Sequence, residues 1–141
     1  MRRKLVIAAG SAFGTLAMLA GTTAPANAAT EAYGGSRSCA TTGAYGTYSY
    51  DNYHGPDATI TIRMSVSDTM SDGNSVRVRM TSKDTWGTVK YWQWHSNANG
   101  NGTTSNWTTT ASDSSGLFSI GIQVARINTD GTIRNSCTSW I

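Results

Sequence analysis

The side chains able to do acid, base or metal chemistry are few in this sequence. Glu31 is the only glutamate, and His54 and His95 are the only histidines. A glycosidase needs two carboxylates facing one bond, and the aspartates here fall in segments that read as turns, where capping accounts for them. The Gly-x-Ser-x-Gly elbow of one class of serine nucleophile is absent, and a Ser-His-Asp triad assembled from residues distant in sequence stays open, since serine is abundant. His54 and Asp57 flank Gly55-Pro56 and read as a turn. The spacing Asp68-x-x-x-Asp72-Gly73 is similar to part of a calcium loop. Met70, however, stands where a third oxygen ligand belongs, and Arg79 where the closing glutamate should be. Two histidines and two cysteines suited to bonding each other leave no zinc set. The expectation is a protein that is not an enzyme and takes no metal or cofactor.

Aromatic residues are the real excess, with five Trp and six Tyr. Trp86, Tyr91, Trp92, Trp94 and Trp107 surround an Asn/Gly-rich loop from Ser96 to Asn106. Flat rings beside amides suit a sugar-binding face, because rings stack on sugar CH groups and amides bind hydroxyls. The same rings form the hot spots of protein interfaces, and they can equally fill a core that has little Leu or Phe. Alternation along Val89–His95 puts Tyr91 on one face and Trp92 and Trp94 on the other. Tyr91, Trp92, Trp94 and Trp107 are therefore the candidate ligand platform.

The elements that must position these rings are strands. Beyond residue 28 there is one Leu (Leu117), and Lys is confined to Lys83 and Lys90, so strong helix formers are scarce. Ile60, Ile62, Met64 and Val66 alternate with Thr61, Arg63 and Ser65, the pattern of a strand with one buried face. Val76, Val78 and Met80 alternate with Arg77 and Arg79. The two segments, separated by Asp68–Asn74, read as a hairpin with its arginines outward. Phe118, Ile120, Ile122 and Val124 mark a further strand, and the last runs from Thr132 to Trp140. About seven strands at this spacing predict an all-β fold, a single antiparallel β-sandwich.

The chain opens with Arg2, Arg3 and Lys4, continues through an apolar stretch from Leu5 to Ala20, and reaches Ala26-Asn27-Ala28 just after Pro25. This is the pattern of a cleavable export signal over residues 1–28. Gly10, Ser11, Gly14 and Thr15 interrupt the apolar run, which is short for a membrane span. Cleavage would leave 141 − 28 = 113 residues. The full chain carries 11 Lys+Arg against 8 Asp+Glu; removing Arg2, Arg3 and Lys4 leaves 8 against 8. A neutral exported domain gives no case for nucleic acid, or for a membrane once the signal is gone. Cys39 and Cys137, the only cysteines, are expected to form a disulfide tying the two end regions together. Residues 29–38 are small and polar apart from Tyr33. With Gly34 and Gly35 they read as a flexible arm ahead of a 39–141 sandwich domain.

The Met1-Arg2-Arg3-Lys4 opening, the Ala26-Asn27-Ala28 site and a Ser/Thr/Trp-rich domain with Cys39 and Cys137 resemble the small secreted β-sandwich proteins of filamentous actinobacteria. Within that group the chain is most similar to the adaptor subunit of secreted umbrella toxin particles. The resemblance implies a scaffolding role between a lectin-like subunit and a large spoke protein, and carries over no individual residue. The expected function is a secreted, extracellular adaptor that binds a protein partner through the arm, at Tyr33, Gly34 and Gly35, and a nearby strand edge. The alternative is a carbohydrate-binding module in which the aromatic platform takes a glycan.

Overall fold

The computed structural model describes residues 33–141, which form nine strands and two stacked antiparallel sheets. The strands are β1 (Tyr33–Thr41), β2 (Ala44–Tyr53), β3 (Ile60–Asp68), β4 (Ser75–Lys83), β5 (Val89–Tyr91), β6 (His95–Asn97), β7 (Thr104–Ala111), β8 (Ser119–Ile127) and β9 (Ile133–Trp140). One sheet has the order β1-β2-β3-β7. The other has the order β5-β4-β8-β9, with β6 also pairing β4. The chain is thus an all-β sandwich, and the count exceeds seven because short strands supplement the long ones. The export signal expected over 1–28, and residues 29–32, lie outside the described residues.

Period-two alternation builds the core. Ile60, Ile62, Met64 and Val66 face inward from β3, Val76, Val78 and Met80 from β4, and Ile120, Ile122 and Val124 from β8; all are buried. Complete burial of each such side chain stabilises the fold by about 1.5–3 kcal/mol. Two tyrosines tie the sheets across this core. The Tyr48 hydroxyl donates to the Ile120 carbonyl at 2.9 Å, and the Tyr53 hydroxyl to the Leu117 carbonyl at 2.9 Å. Each bond avoids the cost of burying a hydroxyl without an acceptor.

Cys39 on β1 is bonded to Cys137 on β9, with a Cα–Cα distance of 6.0 Å. The bridge staples one sheet to the other at the side where β1 and β9 meet, joining the N- and C-terminal regions as expected from the two cysteines of the sequence.

Two expectations need correction. β3 and β4 are not a hairpin: they lie in different sheets, and the connection between them crosses the sandwich. Each strand has its own complete apolar face, and stacking those faces across the core buries both, which side-by-side pairing would not do. Residues 33–38, expected in a flexible arm, instead belong to β1. Ser36, Arg37 and Ser38 pair with Ser49, Tyr48 and Thr47 of β2. Gly34 and Gly35 are held by close packing: a Cβ on Gly34 would lie 2.7 Å from the Tyr50 carbonyl, and one on Gly35 2.7 Å from Ile141 Cδ1. Small residues here permit close approach of neighbouring chain rather than mobility.

Candidate binding face

The segment 89–97 runs antiparallel to β4 but not in one register. Tyr91 is opposite Thr81, whereas His95 is opposite Val78. Four steps along one strand therefore span three along the other, and the surplus residue is a bulge at Trp92–Trp94. The Trp92 amide still donates to the Met80 carbonyl at 3.1 Å. Beyond the bulge the alternation is inverted. Trp92 turns inward, where its indole N–H donates to Ser82 Oγ at 3.0 Å. Trp94 turns outward to join Tyr91, and His95 turns inward against the Trp107 ring, 5.2 Å between centroids.

The expected pairing of Trp92 with Trp94, opposite Tyr91, is thus overturned by one extra residue. Tyr91 and Trp94 share the outer face of the β5-β4-β8-β9 sheet. Trp92 and Trp107 lie between the sheets, half-buried against the core. The four rings do not form one platform.

Arg79 organises the outer face. Its guanidinium carbon lies 4.1 Å from the centre of the Tyr91 ring and 4.2 Å from that of Trp94. Its Nε donates to Gln123 Oε1 of β8 at 2.8 Å, so the group is gripped from both neighbouring strands. Burial pulls the Arg79 pKa below its ordinary value, and the Tyr91 group opposes that shift. The side chain stays charged, since a guanidinium titrates far above neutral pH.

Two repeats of the pleat further on, past Thr81, Lys83 Nζ lies 4.6 Å from the centre of the Trp140 ring of β9. Trp140 was not expected among the site residues. It packs against Gly121, where a Cβ would come within 2.6 Å of the indole and 2.8 Å of Thr81 Oγ1. The absent side chain at 121 is what lets the indole lie on the sheet. Thr81 is buried beneath this layer although it points away from the core. Attraction between cation and ring face contributes about 0.5–2 kcal/mol per contact, more as water is excluded.

Trp86 stands at the tip of the β4–β5 connection and is 81% exposed. The loop is ordered by Asp84, whose Oδ1 accepts from the Trp86 and Thr88 amides at 2.9 and 2.8 Å. Gly87 closes the turn at φ 80°, a conformation glycine adopts without steric penalty. Lys90 Nζ meets Asp113 at 2.6 Å, and this contact holds the Asp113 carboxyl below its usual range.

The remaining sequence candidates take structural places. Tyr33 is exposed at the start of β1, opposite Tyr53. Of the calcium-like pair, Asp68 Oδ1 accepts from the Met70 amide, and Asp72 pairs with Arg126 and accepts from the Asn74 amide. His54 lies in the β2–β3 connection and His95 in β6.

No family model matches this chain. No curated protein matches it either. The outer face therefore has to be read from its own chemistry.

Proposed function

We propose that this protein is an exported, non-catalytic module that binds a protein partner through the outer face of the β5-β4-β8-β9 sheet. The observation that supports this reading is Arg79 held between Tyr91 and Trp94, with Trp140 and Lys83 beside it. Tyr, Trp and Arg are the residue types that dominate binding energy at protein interfaces. They offer large contact area with little conformational freedom to lose. The adaptor role implied by the secreted-toxin resemblance would use this face in place of a mobile arm.

The glycan reading draws less support from the geometry. A sugar platform needs open, coplanar ring faces, and the rings expected to supply them point to two different sides of the sheet.

The test immobilises the purified protein, exposes it to culture supernatant of the producing organism, and identifies what is retained. The reading predicts a defined protein partner whose capture falls at least tenfold in Tyr91→Ala and Trp94→Ala, each variant staying folded with a melting temperature lowered only by the few degrees that its lost contact with Arg79 accounts for. Retention of polysaccharide instead, lost in Trp94→Ala, would replace the protein-binding reading with the carbohydrate one.

A further inference from the structure

Charge on this molecule is sorted by sheet. Residues 33–141 carry eight Lys+Arg and seven Asp, a near balance. Yet β4, β5, β6, β8 and β9 contain no carboxylate at all, while they carry Arg77, Arg79, Lys83, Lys90, Arg126 and Arg134. The aspartates lie in β2, β3 and the connections.

Three cations of the molecule already have ion-pair partners: Arg63 with Asp51, Lys90 with Asp113 and Arg126 with Asp72. Arg77, Arg79 and Lys83, at alternate positions on the outward side of β4, form no ion pair among the described residues. Arg77 Nε is buried without an acceptor.

We propose that this face receives an extended acidic polypeptide segment, with carboxylates two and four residues apart meeting Arg77, Arg79 and Lys83. The proposal rests on the protein-binding reading above and supplies the chemistry of the partner. Spacing favours it: side chains two and four residues apart on a strand stand about 7 and about 14 Å apart, and an extended peptide repeats at the same interval. The rings favour it too. Tyr91 and Trp94 are stacked on Arg79, and Trp140 faces Lys83, so these rings hold cations in place. A single-stranded nucleic acid or a neutral glycan would want the same ring faces for stacking. Cations fixed in advance lose little freedom on binding, and their charge-assisted hydrogen bonds to carboxylates are correspondingly strong.

The direct experiment titrates the purified protein with a labelled peptide of alternating Glu and Thr. Controls are the same peptide with Gln for Glu, oligo-deoxythymidine and an oligogalacturonate. The Glu peptide should bind, weaken steeply with added salt, and bind about tenfold less tightly to Arg79→Gln and to Lys83→Gln. Lys83→Gln also gives up the contact with the Trp140 ring, so its melting temperature should fall by a few degrees while the protein stays folded at the assay temperature, which keeps the result interpretable. Equal binding of the Gln peptide, tighter binding of either other polyanion, or unchanged affinity in both variants overturns the proposal. The supernatant capture separates its failure from that of the broader reading. If Tyr91→Ala abolishes capture while the double variant Arg79→Gln/Lys83→Gln captures normally, the acidic segment is wrong and the protein-binding face stands. If the Glu peptide binds as stated but no protein is captured, the protein-binding reading fails and the acidic segment fails with it, since it names that protein's contact.

Discussion

The two sheets share one core and turn different chemistry outward. The outer side of β1-β2-β3-β7 carries mostly short hydroxyl side chains, some of them paired with each other, with Tyr45 exposed among them. Thr47 bonds Ser65 at 2.7 Å, Ser67 bonds Thr104 at 2.7 Å, and its charges Arg63 and Asp51 pair with each other. The outer side of β5-β4-β8-β9 carries long cationic and aromatic side chains layered on one another, with Arg79 and Lys83 lacking a carboxylate partner among the described residues. A surface whose opposite charges already pair gains little from a charged partner. One that leaves cations held in place and unneutralised has more to gain. Equal burial beneath the two sheets thus says nothing about which one binds; the difference lies in what the outward half of each alternation is asked to satisfy.

The largest expected effect comes from removing what both faces share. Cys39→Ala/Cys137→Ala opens a loop with a sequence separation of 98, and the loss should be about 2–5 kcal/mol in denaturant unfolding. Both faces should lose order together. An unaltered unfolding midpoint would show that the sheets hold each other without the staple.

Gly121→Ala against Ser65→Ala sharpens the contrast. The first forces a Cβ into Trp140 and Thr81 and should destabilise by about 1–3 kcal/mol, with a shift in tryptophan fluorescence. The second removes one exposed-side hydroxyl pair and should stay within about 1 kcal/mol. Equal losses would mean that the aromatic layer is no more tightly built than the hydroxyl face.

Alkali tests the tie between the sheets. Burial raises the Tyr48 pKa above the ordinary 10.0, so the folded state keeps its proton where the unfolded chain has lost it. The stabilisation from this group is full below the ordinary tyrosine value and declines as pH rises through it towards the higher folded value. Tyr48→Phe should flatten that alkaline decline measured by urea midpoint; an identical decline in the variant would assign it to other groups.

The smallest effect is expected at Arg63→Ala. Both partners of that pair are about half exposed, so the change should be about 0–1 kcal/mol and partner capture should not alter. A drop in capture would move the binding surface to the hydroxyl face.

The core strands were legible because their pattern is local: Ile60 to Val66 and Ile120 to Val124 each announce a buried face within a few residues. The disulfide was legible because only one pairing was available. The outward direction of Trp94 was not, because it depends on a single surplus residue whose presence shows only when 89–97 is aligned on β4. The hairpin reading of β3 and β4 failed for a related reason. Alternation reveals that a strand has an apolar face but not whether its neighbour in sequence lies beside it or across from it. Charge sorting was hidden by summation: a balanced total concealed segments 75–83, 89–97, 119–127 and 133–140, each without a carboxylate. That depletion was visible in the sequence and would have pointed to Arg79 and Lys83. Trp140 carried no signal of its own, since its place on the face depends on Gly121 in the adjacent strand.

The position of the disulfide also decides how the domain answers to tension. A pull applied ahead of Cys39 and behind Cys137 runs through the sulfur–sulfur bond and bypasses the strands between them. Only the outer stretches of β1 and β9 can peel. The part of the face on β4, β5 and β8 lies inside the closed loop, out of the path of the load, and Trp140, beyond Cys137, is the part of it that a pull would reach first. A tether built on this domain would fail at its ends or at its partner contact before the sandwich itself came apart.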